Sequence, residues 1–313
     1  MTVEEVSFYS GGQTVVGRLH HPDAPGRAPV IVTCPGWMEV MCSAVSEPFH
    51  EGLARAGYAV LTFDFRGWGA TGGEAGWVRP ADQLEDMLAA IAYAKTRSDL
   101  DANRLALFGL GGTGGGVAIH AAAADLSVRA VAVQTVVAEG EAWLRAMRRE
   151  YEWQEFRQRV ERNRLNRVKN NQDELVDPTE ELMVSTPERR AVGMPIRGNA
   201  FHLSSAEGLL RFRPIDVVDQ IAPRALLIAC IEGDPVTPEE HAQALYARAG
   251  APKKLIRQRG VSHYSAYKKN YDRLMAHFVA WFDRYARFDD FEITSDEPPT
   301  PDPNSIVTFS EVT

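Results

Sequence analysis

The chain has 313 residues, of which 45% are hydrophobic and 24% charged, and a formal net charge of −8. This composition is typical of a globular protein, and the acidic balance argues against a general nucleic-acid-binding role. The length fits one large α/β domain with an inserted lobe. The three cysteines are unclustered and odd in number, which argues against a disulfide framework or a zinc site.

Hydrophobic patterns divide most of the chain into strands and helices. Residues 3–9 and 14–20 alternate between apolar and polar, which predicts an antiparallel hairpin that turns at Gly11-Gly12. Continuous apolar runs, typical of buried parallel strands, follow at 28–34, 58–65, 104–109, 128–135, 224–231 and 253–259. Helical periodicity lies between them, at 43–56, 79–97, 113–124, 238–249 and 267–287. The alternation predicts a mostly parallel central sheet with helices on both faces.

Residues 140–215 interrupt this alternation and are predicted to form a helical lid, inserted between core segments 1–139 and 216–288. The lid begins with a long helical stretch, EAWLRAMRREYEWQEFRQRVERNRLNRVKNN, which carries both signs of charge. Such mixtures usually form a solvated helix face. The alternative is that arginines of the lid meet an anionic substrate or a partner subunit, as in a homodimer formed through the lid.

The C-terminal residues 289–313 are rich in acidic side chains and prolines and are predicted to be a partly disordered tail. Within them, NSIVTFSEV is a weak candidate for an edge strand. The first residues, MTVEEVSFYSGG, lack a basic region followed by an apolar one, and no apolar run reaches membrane-spanning length. The expectation is a cytoplasmic protein with no membrane partner.

Residues 104–116, RLALFGLGGTGGG, predict a strand, a sharp glycine turn and a helix. This is the arrangement of a nucleophile elbow, which normally holds a Ser, Cys or Asp at its tip. Aligned without a gap to the pattern G-x-S-x-G, the tip is Gly111, and Thr113 stands at a glycine position. A shifted alignment makes Thr113 the nucleophile, but the tip requires a positive φ, which β-branched residues resist most.

Four further segments follow the order of one superfamily. They are CPGW at 34–37, GYAVLTFDFRGWGATGG at 57–73, IEGDPVTPEEHAQALYARAG at 231–250 and GVSHYSAY at 260–267. In order and spacing, residues 10–288 resemble the α/β-hydrolase superfamily, and most of all its dienelactone-hydrolase-like acyl hydrolases with a lid after the sixth strand. The resemblance implies an α/β-hydrolase fold.

The resemblance also implies roles for individual residues. Asp234 would be the triad acid and His263 the general base, in the family's chain order. The backbone N–H groups of Gly112 and Trp37 would form an oxyanion hole. The departures from the family are Gly111 at the nucleophile position and Pro35 where the family usually has histidine. Taken alone, Asp234 could be a turn or cap residue and His263 an ordinary loop histidine.

Several other side chains are candidates for the pocket. Those placed at its mouth are Met38, Glu39, Trp68 and Trp143. Glu139 is either an acid near the pocket or the residue that starts the first lid helix, and His202 in the lid is a candidate for reaching the substrate. Asp64 and Arg66 are predicted to fix the loop after the fourth strand. The glycine cluster lacks the features of a phosphate-binding loop, so no cofactor is expected. The unclustered cysteines give no reason to expect a metal.

A histidine–aspartate dyad that faces an oxyanion hole without a nucleophile can move protons beside an enolate or oxyanion. The expected substrate is a small carbonyl, ester or polyketide-like compound, apolar or aromatic in character. Lyase, cyclase or isomerase chemistry fits, as does direct hydrolysis by a water that His263 activates. The alternatives are a conventional hydrolase with Thr113 as nucleophile and a non-catalytic protein that binds a small molecule or a partner.

Overall fold

The computed structural model describes residues 1–183, 185–192, 200–287 and 306–310. Its strands are β1 (Thr2–Ser10), β2 (Gln13–His21), β3 (Ala28–Cys34), β4 (Ala59–Phe63), β5 (Leu100–Leu110), β6 (Val128–Gln134), β7 (Leu175–Val176), β8 (Phe201–His202), β9 (Ala225–Ile231), β10 (Lys253–Arg259) and β11 (Ile306–Ser310). Its α-helices are α1 (Glu47–Arg55), α2 (Pro80–Thr96), α3 (Gly111–Ala124), α4 (Gly140–Ala146), α5 (Glu150–Asn170), α6 (Pro187–Val192), α7 (Ser205–Leu210), α8 (Glu239–Arg248), α9 (His263–Lys269) and α10 (Tyr271–Phe282). Shorter helical turns occupy Pro178–Leu182, Pro214–Asp216, Val218–Ile221 and Asp283–Arg287.

One sheet organises the described residues, with the strand order β1-β2-β4-β3-β5-β6-β9-β10-β11. The hairpin of β1 and β2 is antiparallel, with Ser10 opposite Gln13 across the predicted glycine turn. β2 also runs antiparallel to β4, whereas the remaining neighbours in the sheet are parallel. The predicted α/β-hydrolase fold, with a mostly parallel sheet, is therefore confirmed.

The central strands are buried on both faces, as their continuous apolar sequences predict. Every residue of β3, β4 and β9 is buried. Successive residues of β3 point to opposite faces, so Val32 packs in the core beneath α2 and α3, while Ile31 packs in the core beneath α1 and α10. The sheet is thus covered by helices on both faces, which leaves the loops after the carboxyl ends of its parallel strands as the place where a site can form.

The segment between β6 and β9 contains α4 to α7 and a two-stranded antiparallel pair, β7 with β8. On α5, the apolar side chains of Trp153, Phe156 and Val160 are buried. Charged side chains of this helix pair within the same segment, as Arg157 does with Glu141 at 2.7 Å. At least some charged side chains of α5 therefore form local ion pairs on a solvated face.

Several elements differ from the sequence expectations. β5 begins at Leu100, four residues before its predicted run, and α1 begins at Glu47, four residues after its predicted start. The predicted helix at 267–287 is divided into α9 and α10, which meet at Asn270, and α9 starts earlier than predicted, at His263. Ser262 caps this start, since its backbone N–H donates to the Ser265 hydroxyl at 2.9 Å. Within 289–313, Ile306–Ser310 form β11 beside β10, and the rest of the predicted tail lies outside the described residues. No helix in the described ranges is long and apolar enough to cross a bilayer.

Candidate active site

A buried histidine–aspartate pair stands where two parallel strands end. Asp234 lies in the loop after β9, and His263 begins α9 after β10. Asp234 Oδ1 accepts the Val236 backbone N–H at 2.8 Å, and Asp234 Oδ2 lies 2.6 Å from His263 Nδ1. Because a carboxylate accepts, His263 carries its proton on Nδ1, which leaves Nε2 as the nitrogen available to act as a base.

The sharp turn between β5 and α3 falls at Gly111. Its φ is +68°, a conformation that glycine adopts without steric cost. A Cβ at this position would lie 3.0 Å from Gly36 Cα and 3.5 Å from the Trp37 nitrogen, so the turn faces the loop after β3 closely. A side chain at Gly114 would meet the Pro35 carbonyl, which explains one further glycine of the cluster. The elbow geometry is present with no nucleophilic side chain at its tip.

Backbone donors surround the tip of this turn. Gly112 belongs to the first turn of α3, where N–H groups have no acceptor inside the helix. The Trp37 N–H comes from the facing loop, close to where a residue-111 side chain would begin. The N–H groups of Gly112 and Trp37 are therefore the candidate donors of an oxyanion hole.

Glu39 holds the loop that carries Trp37. Its Oε2 accepts the Gly36 backbone N–H at 2.9 Å, and its Oε1 accepts the Ser43 hydroxyl at 2.6 Å. Met38, between them, has a φ of +55°, which is uncommon for a residue with a long side chain. The carboxylate of Glu39 therefore braces a loop whose backbone is held in an unfavourable conformation.

The loop after β4 packs against the loop that carries Trp37. Asp64 Oδ1 accepts the Met41 backbone N–H and its Oδ2 accepts the Ala70 N–H, both at 2.7 Å. Arg66 binds Asp86 through its backbone N–H at 2.9 Å and through its guanidinium. Both residues fix backbone, in agreement with the structural role that the sequence predicts for them.

A cavity of about 480 Å³ opens over the elbow and the dyad. Its lining consists of Gly36, Trp37, Met38, Glu39, Val40, Cys42, Ser43, Ala44, Val45, Gly111, Arg189, His263, Tyr264 and Tyr267. Most of these side chains are apolar or aromatic, with a few polar groups between them, which is the usual composition of a small-molecule site. Of the candidates for the pocket mouth, Met38 and Glu39 thus line the cavity together with Trp37, Gly111 and His263.

Aromatic side chains stabilise two walls of the cavity. The Tyr267 hydroxyl lies 2.7 Å from Thr135 Oγ1, which itself donates to the Gln134 carbonyl, and burial raises the pKa of Tyr267 above its usual range. Trp143 packs edge-on against Trp37, with ring centroids 5.8 Å apart, and donates from Nε1 to the Val236 carbonyl at 2.8 Å. Trp143 lies behind the lining rather than in it.

Two aromatic candidates lie elsewhere, in contrast to the sequence interpretation. Trp68 is buried against Phe201 and donates to the Trp77 carbonyl at 3.0 Å. His202 stacks on Trp77 with a centroid distance of 3.9 Å and has Asp173 as a neighbouring acid. Both residues join β8 and the loop after β4, so they pack the insertion onto the core and do not line the cavity.

Glu139 and Thr113 are also absent from the cavity lining. Glu139 precedes α4 and pairs with Arg213 at 3.0 Å, which agrees with the interpretation that it starts the first helix of the insertion. Thr113 is buried on α3, and its hydroxyl has no hydrogen-bond partner among the described residues. A threonine in this position is poorly placed to attack a substrate in the cavity.

Arg189, Tyr264 and Tyr267 are among the lining residues that sequence reasoning missed. Tyr264 and Tyr267 follow His263 on α9, and both belong to the motif GVSHYSAY. Predicting a helix that starts at His263 would have placed them beside the base. Arg189 comes from α6 in the insertion and reaches the cavity through tertiary packing, for which the sequence gives no local signal.

Comparison with known proteins agrees with this architecture. Residues 31–276 match the model of the alpha/beta hydrolase family. An uncharacterized 31.7 kDa protein from the traX-finO intergenic region of Escherichia coli is 26% identical over 272 residues, which cover 84% of this chain and 93% of that protein. The quorum-quenching protein AidA of Acinetobacter baumannii is 32% identical over 137 residues, 44% of each chain. The crystal structure of the α/β hydrolase GrgF from Penicillium sp. sh18 superposes with a TM-score of 0.79 at 20% identity, over 92% of this chain and 100% of that one.

The family match spans well over half of the sequence, and the chain belongs to the alpha/beta hydrolase family.

Proposed function

We propose that this chain is an enzyme that performs acid–base chemistry, without a covalent intermediate, on a small carbonyl or ester compound. The observation that carries the proposal is one cavity that contains both His263, hydrogen-bonded to buried Asp234, and Gly111 at the tip of the elbow. A base and oxyanion donors are available there, but no nucleophile is available at the usual place.

Each group has a defined part in this chemistry. Asp234 holds the His263 ring and its tautomer, so that Nε2 removes a proton and later returns it. The N–H groups of Gly112 and Trp37 stabilise the negative oxygen that develops. If the proton comes from a carbon next to a carbonyl, the stabilised species is an enolate, as in lyase, cyclase or isomerase reactions. If it comes from water, the oxygen attacks the carbonyl carbon, and the returned proton goes to the leaving group.

The decisive experiment detects proton transfer directly. Ketones, keto acids, esters and lactones are incubated with the protein in D₂O, and ¹H NMR follows α-hydrogen exchange and product formation. We expect exchange or hydrolysis with at least one compound class, loss of it in His263→Ala, and an unmodified protein mass during turnover. Thr113→Val, which removes only the buried hydroxyl, serves as the matched control and should remain active.

Two results would contradict the proposal. A covalent acyl adduct during turnover would indicate a conventional hydrolase, and its loss in Thr113→Val would identify Thr113 as the nucleophile. A compound that binds in the cavity, with neither exchange nor hydrolysis above the rate without protein, would indicate a non-catalytic binding protein.

A further inference from the structure

We infer that the cavity recognises a carboxylate group of its ligand through Arg189, an inference that adds a substrate class to the proposed function. Arg189 lines the cavity from α6, and only 6% of the residue is exposed to solvent. Its Nη1 donates to the Tyr264 hydroxyl at 3.2 Å. Its Nε and Nη2 have no hydrogen-bond partner among the described residues.

The unpartnered atoms form one particular edge of the guanidinium. Nε and Nη2 lie side by side and can bind both oxygens of a carboxylate at once. The neighbouring residue, Arg190, uses the same two atoms on the two oxygens of Glu180, at 2.8 and 2.6 Å. Arg257 does so with Glu239, at 2.6 and 2.8 Å. A carboxylate of the ligand would fit this edge of Arg189 in the same way.

A buried cation is energetically costly, and the acids nearest Arg189 among the described residues offset only part of that cost. Glu180 is paired with Arg190, and the Asp177 carboxylate accepts the backbone N–H groups of residues 179 and 180. Burial lowers the pKa of the Arg189 guanidinium from its usual value, as expected for a charge removed from water without a counter-ion. A bound carboxylate would supply that counter-ion.

The position of Arg189 suits a substrate that reacts at His263. Two hydrogen bonds hold α6 on the helix of the base: Arg189 to the Tyr264 hydroxyl, and the Ser262 hydroxyl to Glu188. Tyr264 in turn packs edge-on against His263, with ring centroids 4.8 Å apart. Glu39, the acid among the described lining residues, already accepts two hydrogen bonds in its own loop. A carboxylate on Arg189 would thus place the rest of a small acid beside the base, against apolar walls.

The test compares matched ligands by calorimetry. Phenylacetate, 3-phenylpropanoate and 4-phenylbutyrate are titrated beside their primary amides into wild-type protein and into Arg189→Met, Arg189→Lys and Arg190→Met. At least one carboxylate should bind more tightly than its amide. Arg189→Met should weaken that carboxylate about 10–100-fold, the effect of one charged two-point contact, without weakening the amide. Arg190→Met, which breaks only a surface pair, should bind as the wild type does.

His263→Ala separates this inference from the proposed function. The carboxylate preference should persist in His263→Ala even though catalysis is lost, because the charge that binds belongs to Arg189. If the preference disappears with His263 instead, or if both Arg189→Met and Arg189→Lys bind carboxylates like the wild type, the inference is wrong while the role of His263 as a base stands. Circular dichroism checks the folding of each variant, and Arg189→Lys decides the result if Arg189→Met does not fold.

An independent observation carries a second inference: we propose a divalent transition-metal site formed by His20, Glu47 and His50. One ligand atom from each lies within 4.8 Å of the others. Neither ring nitrogen of His20 has a hydrogen-bond partner in the described ranges, and the same is true of His50 Nδ1 and Glu47 Oε2. Both histidines are almost fully buried, at 0% and 2% exposure. No zinc site was expected from the sequence, because its three cysteines are unclustered. His20 comes from β2, whereas Glu47 and His50 come from α1.

The arrangement fits the geometry of a bound ion. Glu47 and His50 stand three positions apart on α1 and so share a helix face, with His50 Nδ1 and Glu47 Oε2 3.7 Å apart. Ligand atoms of a tetrahedral zinc ion are separated by roughly 3.4 Å, given bonds of about 2.0–2.1 Å. The rings of His20 and His50 have centroids 5.8 Å apart.

A second group of possible metal ligands differs in having its charges already paired. Glu4, His21 and Asp99 also lie within ligand distance of one another. Their charges are already satisfied, because Arg97 pairs with Glu4 at 2.8 Å and with Asp99 at 2.9 Å. His21 therefore provides the matched control for variants of the buried trio.

Tag-free, chelator-treated protein is titrated with ZnCl₂ against a chromophoric zinc chelator. We expect one equivalent to bind, affinity to fall at least about tenfold in His50→Gln and Glu47→Gln, and His21→Gln to bind as the wild type does. Zinc at a hundred times its Kd should also raise the Tm of the wild type by about 4 °C. Absence of binding, or equal affinity in all variants, or loss in His21→Gln alone, would overturn the inference. Glu47 is partly exposed, so Glu47→Gln keeps the test valid if His50→Gln is unstable.

Discussion

Asp234 Oδ2 lies 2.6 Å from His263 Nδ1, although 29 positions of chain separate the two residues. β9 and β10 are adjacent and parallel, so the residues that follow them emerge side by side at one edge of the sheet. The hydrogen bond is thus set by the sheet itself and does not depend on a nucleophile at residue 111. A histidine–aspartate pair can therefore form in this fold whatever residue stands at the tip of the elbow.

Ordinary esterase reagents should find no activated nucleophile. With glycine at the elbow tip, we expect little turnover of p-nitrophenyl acetate and no labelling by fluorophosphonate probes, since both require an activated side chain. Intact-mass spectrometry after incubation measures the labelling. Stoichiometric modification of a serine or threonine, located by peptide mapping, would be incompatible with non-covalent catalysis.

The dyad should control the rate on the true substrate. His263→Ala should lower kcat/KM about 10²–10⁴-fold, the range expected for a positioned acid–base group. Asp234→Asn should also lower it, because the amide no longer enforces the Nδ1–H tautomer and leaves the ring less well oriented. Steady-state kinetics with both variants measure the effect, and full activity in both would exclude the dyad from the chemistry.

Restoring a side chain at residue 111 tests the space beside the base. Gly111→Ser should lower native activity at least about tenfold, because the new side chain occupies reaction space and displaces groups nearby. Its Cβ would lie 3.0 Å from Gly36 Cα, so the facing loop must shift by a few tenths of an ångström. The hydroxyl should bring weak esterase activity or probe labelling, given the base and donors already present.

Gly111→Ala is the matched control for that variant, since it adds the same Cβ without the oxygen. It should lose native activity but gain no labelling. A folded Gly111→Ser protein with undiminished native activity would place the reaction away from residue 111.

Two substitutions of Glu39 separate bracing from proton transfer. Glu39→Ala removes the acceptors of the Gly36 N–H and the Ser43 hydroxyl, so the loop with the Trp37 donor should loosen and kcat/KM should fall about 10–100-fold. Glu39→Gln can accept the N–H and donate to the hydroxyl oxygen, so it should stay close to wild type. If Glu39→Gln proves as inactive as Glu39→Ala, then Glu39 exchanges protons with the substrate.

Stability should decrease as the pH falls below the ordinary pKa of histidine. Burial lowers the pKa of His241, whose Nδ1 accepts the Ala138 backbone N–H at 3.4 Å. Between pH 6.5 and the lower pKa of the folded state, the unfolded chain binds a proton that folded His241 does not, which favours unfolding. Chemical denaturation at pH 8 and pH 5.5 measures the loss, which should be smaller in His241→Gln. An equal loss in the variant would show that His241 does not contribute.

The fold could be predicted because its main signals are local. Continuous apolar runs of a few residues separate buried parallel strands from amphipathic helices, and β3 and β10 have the bounds that their runs predict. Gly111 was found from the pattern of strand, glycine turn and helix, whereas Asp234 and His263 were found from the resemblance to the α/β-hydrolase superfamily.

Arg189 could not be predicted in the same way, because its position depends on how the insertion packs on α9. Trp68 and His202 were misplaced for the opposite reason: their aromatic character is real, but it serves contacts with Phe201 and Trp77. The proximity of His20 and His50 could not be predicted either, because one lies in β2 and the other in α1, and only the folded chain brings their rings together.

Two hydrogen bonds join α6 of the insertion to α9 of the core, so replacing the insertion with one from another protein would break both. Ser262 and Tyr264 belong to the core, whereas their partners Glu188 and Arg189 belong to the insertion. A chimera that received another insertion on this core would leave the two hydroxyls beside the base without their partners. Under the proposed function, in which Arg189 binds the ligand and α9 carries the base, a functional graft must therefore carry both partners of these two hydrogen bonds.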